Sequence, residues 1–237
     1  MIYSENVNYE SGNIVPESGY EAIAEKVLSG ETIVVLKNVF KRGEMIELRD
    51  KVFEWAVNKP IKVENTDSFH RIDNNPPKSE CKHIFHMFDF NMDNRKEIFG
   101  LTDVLRSYAQ KMRFLQNRLA GTNSDFTAKS NDNLRMHLQL IQYPKGGGYF
   151  NEHQHPFEPQ RLGLITGVSQ MGKEFNQGST WFRLKNGTEV SIEDEHCAGD
   201  IALFRYDLPH GVTAIDPDNE LNWDDPNGRW TMVLPYN

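Results

Sequence analysis

The chain has 237 residues, 38% of them hydrophobic, 25% charged and 11% aromatic. A chain of this length buries roughly 70–75% of the surface it exposes when unfolded, and this content of aromatic side chains excludes wholesale disorder. Its 34 Asp and Glu outnumber 26 Lys and Arg, for a formal net charge of −8. That is the wrong sign for a protein whose main partner is a phosphate backbone, so no nucleic-acid partner is expected. No run of about 18 apolar residues is present to span a bilayer, and the polar start MIYSENVNYESGN does not read as a signal peptide. Cys81 and Cys197 stand far apart and outside any CxxC pattern, which suits a reducing cytoplasm.

The first part of the chain, residues 1–133, mixes helices with one clear strand. Ser18–Ser29 carries Ala22, Ile23, Val27 and Leu28 at helical spacing, with Gly30 as a stop signal. Thr32–Phe40 is rich in β-branched residues and reads as a buried strand. Gly43–Asn58 reads as a second helix ended by Pro60, with Met45, Leu48, Val52 and Trp55 or Ala56 on one face. Leu101–Leu119 reads as a third, stopped by Gly121. Between them, Val63–Asn94 holds Asn-Asn-Pro-Pro and little periodicity, and reads as a long excursion of the kind that covers active sites. From Leu134 onward, short strands alternate with turn signals: LRMHLQLIQY, LGLITGVSQ, STWFRL, TEVSI, GDIALFRY, HGVTAI and RWTMVLPY. Many short strands at this spacing predict an antiparallel sandwich or barrel, with the helices on one outer face of a sheet. No linker divides the two parts, so a single α+β domain over residues 1–237 is expected.

Three of the eight histidines are arranged. His153 and His155 flank Gln154 in NEHQHP, and on an extended segment residues i and i+2 point the same way. Two imidazoles then aim at one point, as a metal requires. An isolated H-x-H has a high false-positive rate, but this one follows a Gly-rich bend, and His210 sits on a later strand in LPHGV. His83 and His86 in KHIFHMFDF read as structural, Asp200 as a turn residue, and Trp181 and Phe182 as core.

The segments QYPKGGGYFNEHQHP, GDIALFRYDLPHGV and GRWTMVLPY resemble the iron(II)- and 2-oxoglutarate-dependent oxygenases, most of all the prolyl-hydroxylase type. The resemblance covers about Leu134–Tyr236 and rests on Tyr143-Pro144, His153, Gly199-Asp200, Phe204, His210 and Arg229 in that order. It implies a double-stranded β-helix (jelly-roll or cupin-like) core over residues 134–237, with Fe(II) and 2-oxoglutarate as cofactors. His153 and His210 would be iron-binding imidazoles. Arg229 would grip the distal carboxylate of 2-oxoglutarate through its planar fork, with Thr231 on the same strand face and Tyr143 as further donors. The implied reaction consumes O2 and a small-molecule substrate, of the amino-acid or biosynthetic-intermediate class. Arg161 and Trp223 are candidate substrate contacts, Arg161 reading equally as a surface arginine.

One position departs from the family pattern. The carboxylate of the 2-His-1-carboxylate triad should stand at 155, where this chain has His155. Either His155 is itself a ligand, or Glu152 or Glu158 supplies the carboxylate, or iron binding is lost. The first reading is favoured, because Glu152 faces away from His153 on a strand and Glu158 lies beyond Pro156. A three-His ferrous site keeps the full charge of the ion, so it should hold an anionic chelator more firmly. The competing readings are a three-His iron dioxygenase that does not use 2-oxoglutarate, a three-His zinc hydrolase or lyase, and a non-catalytic binding barrel.

Overall fold

The computed structural model describes residues 1–57, 69–72, 80–87, 102–126 and 135–236. Three helices and thirteen strands are found among them. The helices are α1 (Tyr20–Ser29), α2 (Arg42–Val57) and α3 (Thr102–Ala120). The strands of the first part are β1 (Ile2–Glu10), β2 (Asn13–Pro16), β3 (Ile33–Lys37), β4 (Phe69–Ile72) and β5 (Glu80–Met87). Those of the second are β6 (Leu138–Pro144), β7 (Gly148–His153), β8 (Leu162–Gly167), β9 (Thr180–Arg183), β10 (Glu189–Ser191), β11 (Ile201–Arg205), β12 (His210–Ile215) and β13 (Gly228–Val233).

The strands form two facing sheets. A major sheet runs β5-β6-β13-β8-β11-β3-β1-β2, with β4 on the outer side of β5; a minor sheet runs β10-β9-β12-β7-β5. β5 belongs to both: its later residues pair with β6, while Glu80 and Cys81 pair with Phe150 and Tyr149 of β7. Two-residue alternation sorts the side chains between two cores. Val34 and Leu36 of β3, Ile201 and Leu203 of β11, and Trp230 and Met232 of β13 face the helices. Ile33, Val35, Ala202 and Phe204 point the other way, toward the minor sheet.

The helices form because their apolar spacing matches one covered face. α3 buries Leu105, Tyr108, Ala109, Met112, Leu115 and Leu119, an i, i+3, i+4, i+7 stripe, and packs on α1, β2 and β8. Burying each such large apolar side chain contributes about 1.5–3 kcal/mol. α1 stops at Gly30, whose φ of 75° is left-handed and whose N–H donates to Val27 O at 3.1 Å.

The expected helices are found within two residues of their predicted bounds, and the seven strand segments after Leu134 are all strands. The side chains at 55 and 56 lie outside the described residues. The expectation of one strand in the first part is corrected. β1 and β2 escape sequence reading because their side chains are mostly exposed or half-buried, and β1 is held by backbone pairing parallel to β3. The excursion Val63–Asn94 contains β4 and β5; the rest of it lies outside the described residues. Among the described residues, no helix is long and apolar enough to cross a membrane.

Candidate active site

Between the sheets lies a cavity of ≈ 250 Å³, lined by His153, His155 and His210 together with Tyr143, Arg229 and Thr231. All six residues singled out from the sequence for metal and co-substrate binding therefore line one space.

The imidazoles are placed by strand pairing. His153 of β7 and His210 of β12 are direct partners across the antiparallel ladder, so their side chains share a face. Their ring centroids are 4.2 Å apart. His155 follows two residues beyond His153 and closes the group. One ligating nitrogen from each of the three lies within 4.8 Å of the others. Second contacts fix two rings: His153 Nδ1 donates to Asn151 O at 2.9 Å and His210 Nδ1 to Leu208 O at 2.8 Å. A carbonyl only accepts, so each Nδ1 carries the proton and each Nε2 keeps its lone pair. Phe150 stacks on His153 at 3.8 Å and Tyr206 on His155 at 4.4 Å. Burial, then the neighbouring imidazole of His153, pushes His155 down to about 4 and His210 to about 3; burial also lowers His153. Neutral rings are the metal-binding form, and a convergent all-nitrogen set of this kind suits Fe(II) or Zn(II).

Neither candidate carboxylate joins the cluster. Glu152 turns outward and makes a paired contact with Arg183 at 2.8 and 3.0 Å. Glu158, 67% exposed, meets Arg161 at 3.5 Å. Arg161 itself does not line the cavity; its Nη1 donates to Ala120 O at 2.5 Å, satisfying the last turn of α3. Trp223 also lies off the cavity, stacked on buried His83 at 4.5 Å. Asp200 is structural, accepting from Lys37 Nζ at 2.6 Å, Asn38 N at 2.7 Å and Cys197 N at 2.9 Å.

The guanidinium end is built on the major sheet. Arg229 pairs with Tyr143 across β13 and β6, and its Cζ lies 5.9 Å from the Tyr143 ring centroid. Arg229 and Thr231, two apart, face the cavity, while Trp230 between them enters the helical core. Arg229 Nε donates to Glu193 Oε1, and both side chains are buried.

Two cavity features were not anticipated from sequence. Glu193 is one. The other is Lys82 of β5, buried in the lining, with Nζ 2.5 Å from Glu80 and 3.4 Å from the Phe150 ring centroid. Burial pushes its ammonium below the ordinary lysine range.

No protein-family profile and no curated protein sequence matches the chain. Solved structures do. A prolyl-4-hydroxylase from Pseudomonas putida aligns over 92% of this chain and 98% of its own, with a TM-score of 0.58 and 12% identity. A 2-oxoglutarate/Fe(II) oxygenase-family oxidoreductase from Burkholderia pseudomallei covers 100% and 95%, at 0.56 and 10%. The fold is that of the iron(II)/2-oxoglutarate oxygenases. A third oxygenase-fold structure is the non-heme α-ketoglutarate-dependent epimerase SnoN of nogalamycin biosynthesis, covering 92% and 82% at 0.60 and 13%.

Proposed function

We propose that this protein is a non-haem Fe(II), 2-oxoglutarate-dependent oxygenase acting on a small molecule, with His153, His155 and His210 as the metal ligands. The observation that carries the reading is the sharing of one cavity by three converging imidazoles and a buried Arg229–Thr231 face, in this fold. Bound Fe(II) and 2-oxoglutarate would supply O2 activation, coupled to decarboxylation of the keto acid to succinate and CO2.

The chain's own residues hold and orient. The Nδ1–H bonds of His153 and His210 aim Nε2 inward. Arg229 presents a planar fork to a carboxylate, which favours two-point binding, and the Thr231 hydroxyl shares its strand face. Tyr143 is buried with its phenol pushed far up by burial, so it stays protonated and serves as a donor. Phe150, Phe204 and Val212 give the cavity an apolar wall that excludes water. A small-molecule substrate fits the cavity size. It also fits the solved SnoN complex with Fe3+, α-ketoglutarate and nogalamycin RO.

Anaerobic addition of Fe(II) and then 2-oxoglutarate is expected to give a weak visible charge-transfer band, and aerobic incubation to release succinate. Tight Zn(II) binding with no band would overturn the proposal in favour of a zinc hydrolase or lyase. A three-His iron dioxygenase that does not use 2-oxoglutarate is favoured by one observation: Arg229 already has a carboxylate partner in Glu193. That reading predicts Fe(II) binding and O2 consumption with no response to 2-oxoglutarate.

A further inference from the structure

Among the described residues, no Asp or Glu lines the cavity itself. Glu193 stands just behind the lining, buried, with Oε1 accepting from Arg229 Nε and, at 3.1 Å, from Thr180 N–H. We infer that Glu193 is a positioning and charge-balancing residue for the co-substrate: it places at the guanidinium the negative charge that the metal end lacks because position 155 is histidine. The inference rests on the proposal that Fe(II) and 2-oxoglutarate bind here.

The charges decide it. Three neutral imidazoles leave the ferrous ion with its two positive charges. Lys82 is balanced by Glu80 and Arg229 by Glu193. The 2-oxoglutarate dianion then brings the cavity to neutrality. With Glu193 neutralised, one positive charge is left over. With aspartate at 155 and Glu193 retained, one negative charge is left over. Between groups as buried as Arg229 and Glu193 an uncompensated unit charge is strongly felt, since Coulomb interactions there exceed those in water several-fold.

The geometry agrees with this role. Glu193 engages the guanidinium through Nε, which orients the Nη1/Nη2 edge without covering it. Thr180 Oγ1, 2% exposed by residue and in the cavity lining, has no hydrogen-bond partner. A buried hydroxyl without a partner is costly, and Thr180 Oγ1 lines the same cavity as Arg229, so it is available to an anion bound there.

The test is an anaerobic titration of the Fe(II)-loaded full chain with 2-oxoglutarate, read by the charge-transfer band, with metal content and Tm recorded for each variant. Glu193→Gln keeps the acceptor oxygen and removes the charge; it is expected to tighten 2-oxoglutarate binding by roughly tenfold or more. His155→Asp is expected to weaken it by a similar factor with metal retained. The double variant is expected to return within about threefold of the wild-type value. Glu193→Ala, which loses the acceptor as well, is expected to bind less tightly than Glu193→Gln. Unchanged or weaker binding in Glu193→Gln, or failure to rescue His155→Asp, overturns the inference while leaving the proposed function standing. No band in the wild-type protein overturns both. Should Glu193→Gln not fold, His155→Asp alone decides, and unaltered affinity there refutes the charge argument.

Discussion

Replacing His155 by alanine separates metal binding from folding. The ring supplies one of three converging nitrogens, and its main packing partner is Tyr206, 4.4 Å away. Loss of a partner that merely orients a ligand costs 10–100-fold in metal affinity. Loss of a ligand should therefore cost at least about 100-fold, or about 2.8 kcal/mol at 1.4 kcal/mol per tenfold. Because His155 is half-buried, the metal-free fold should lose no more than about 1 kcal/mol, or about 2–4 °C in Tm for a chain of this size. Competition titration with Co(II) or Zn(II) against a chelator gives the first quantity, and calorimetry of the metal-free protein the second. Glu152→Gln and Glu158→Gln serve as controls and should leave metal affinity unchanged. Affinity of His155→Ala within threefold of wild type would remove this ring from the ligand set and refute the reasoning.

Further outcomes follow from the same structure. His155, His210 and also His137 are held by burial near 4, 3 and 4, below the unfolded value near 6.5. The unfolded chain then binds more protons, so stability of the metal-free protein is full above about 6.5 and falls as pH drops toward 4; a Tm that is flat over that window contradicts the burial of these rings. Arg229→Ala strands Glu193, whose side chain is 4% exposed, and should cost about 3–5 kcal/mol, with Arg229→Ala/Glu193→Ala recovering most of the lost Tm. A Cβ at Gly163 would lie 2.2 Å from Phe204 Cζ; Gly163→Ala should cost about 1–3 kcal/mol, and an unchanged melting curve would show that the ring yields freely. Trp230→Phe removes the 2.8 Å bond from Nε1 to Pro226 O, at about 1–3 kcal/mol; hydrogen exchange at residues 226–230 should rise, and unchanged protection would count against the bond.

The three-imidazole cluster was legible because its logic is local. His153 and His155 share a side by strand alternation, and the register that brings His210 opposite His153 follows from two strands closing an antiparallel ladder. Arg229 and Thr231 were legible for the same reason. Glu193 was not: in TEVSIEDEH it sits among acidic neighbours that read as a solvated turn, and only tertiary packing brings it to Arg229. Lys82 was hidden in KHIFHMFDF, where mixed charged, histidine and aromatic residues mask a strand buried on both faces. Arg161 shows where its sequence reading stopped. A cation near H-x-H suggested contact with an anionic substrate or a surface position, and in the fold its Nη1 donates to the carbonyl of Ala120 at the end of α3. β1 was missed because its strand character comes from pairing with β3 rather than from its side chains.

β13 meets the helix-facing core through Trp230 and Met232. Trp230 packs against Phe53 of α2 and Phe85 of β5, while Arg229 and Thr231 on either side of it line the cavity. His153 and His210 hang instead from β7 and β12, on the opposite sheet, with His155 just beyond β7. The two ends are thus braced by different foundations. In the proposed enzyme, loosening of the helical layer, by heat or by mutation far from the cavity, should release the organic acid while the ion stays seated, leaving a protein that is metal-loaded and idle.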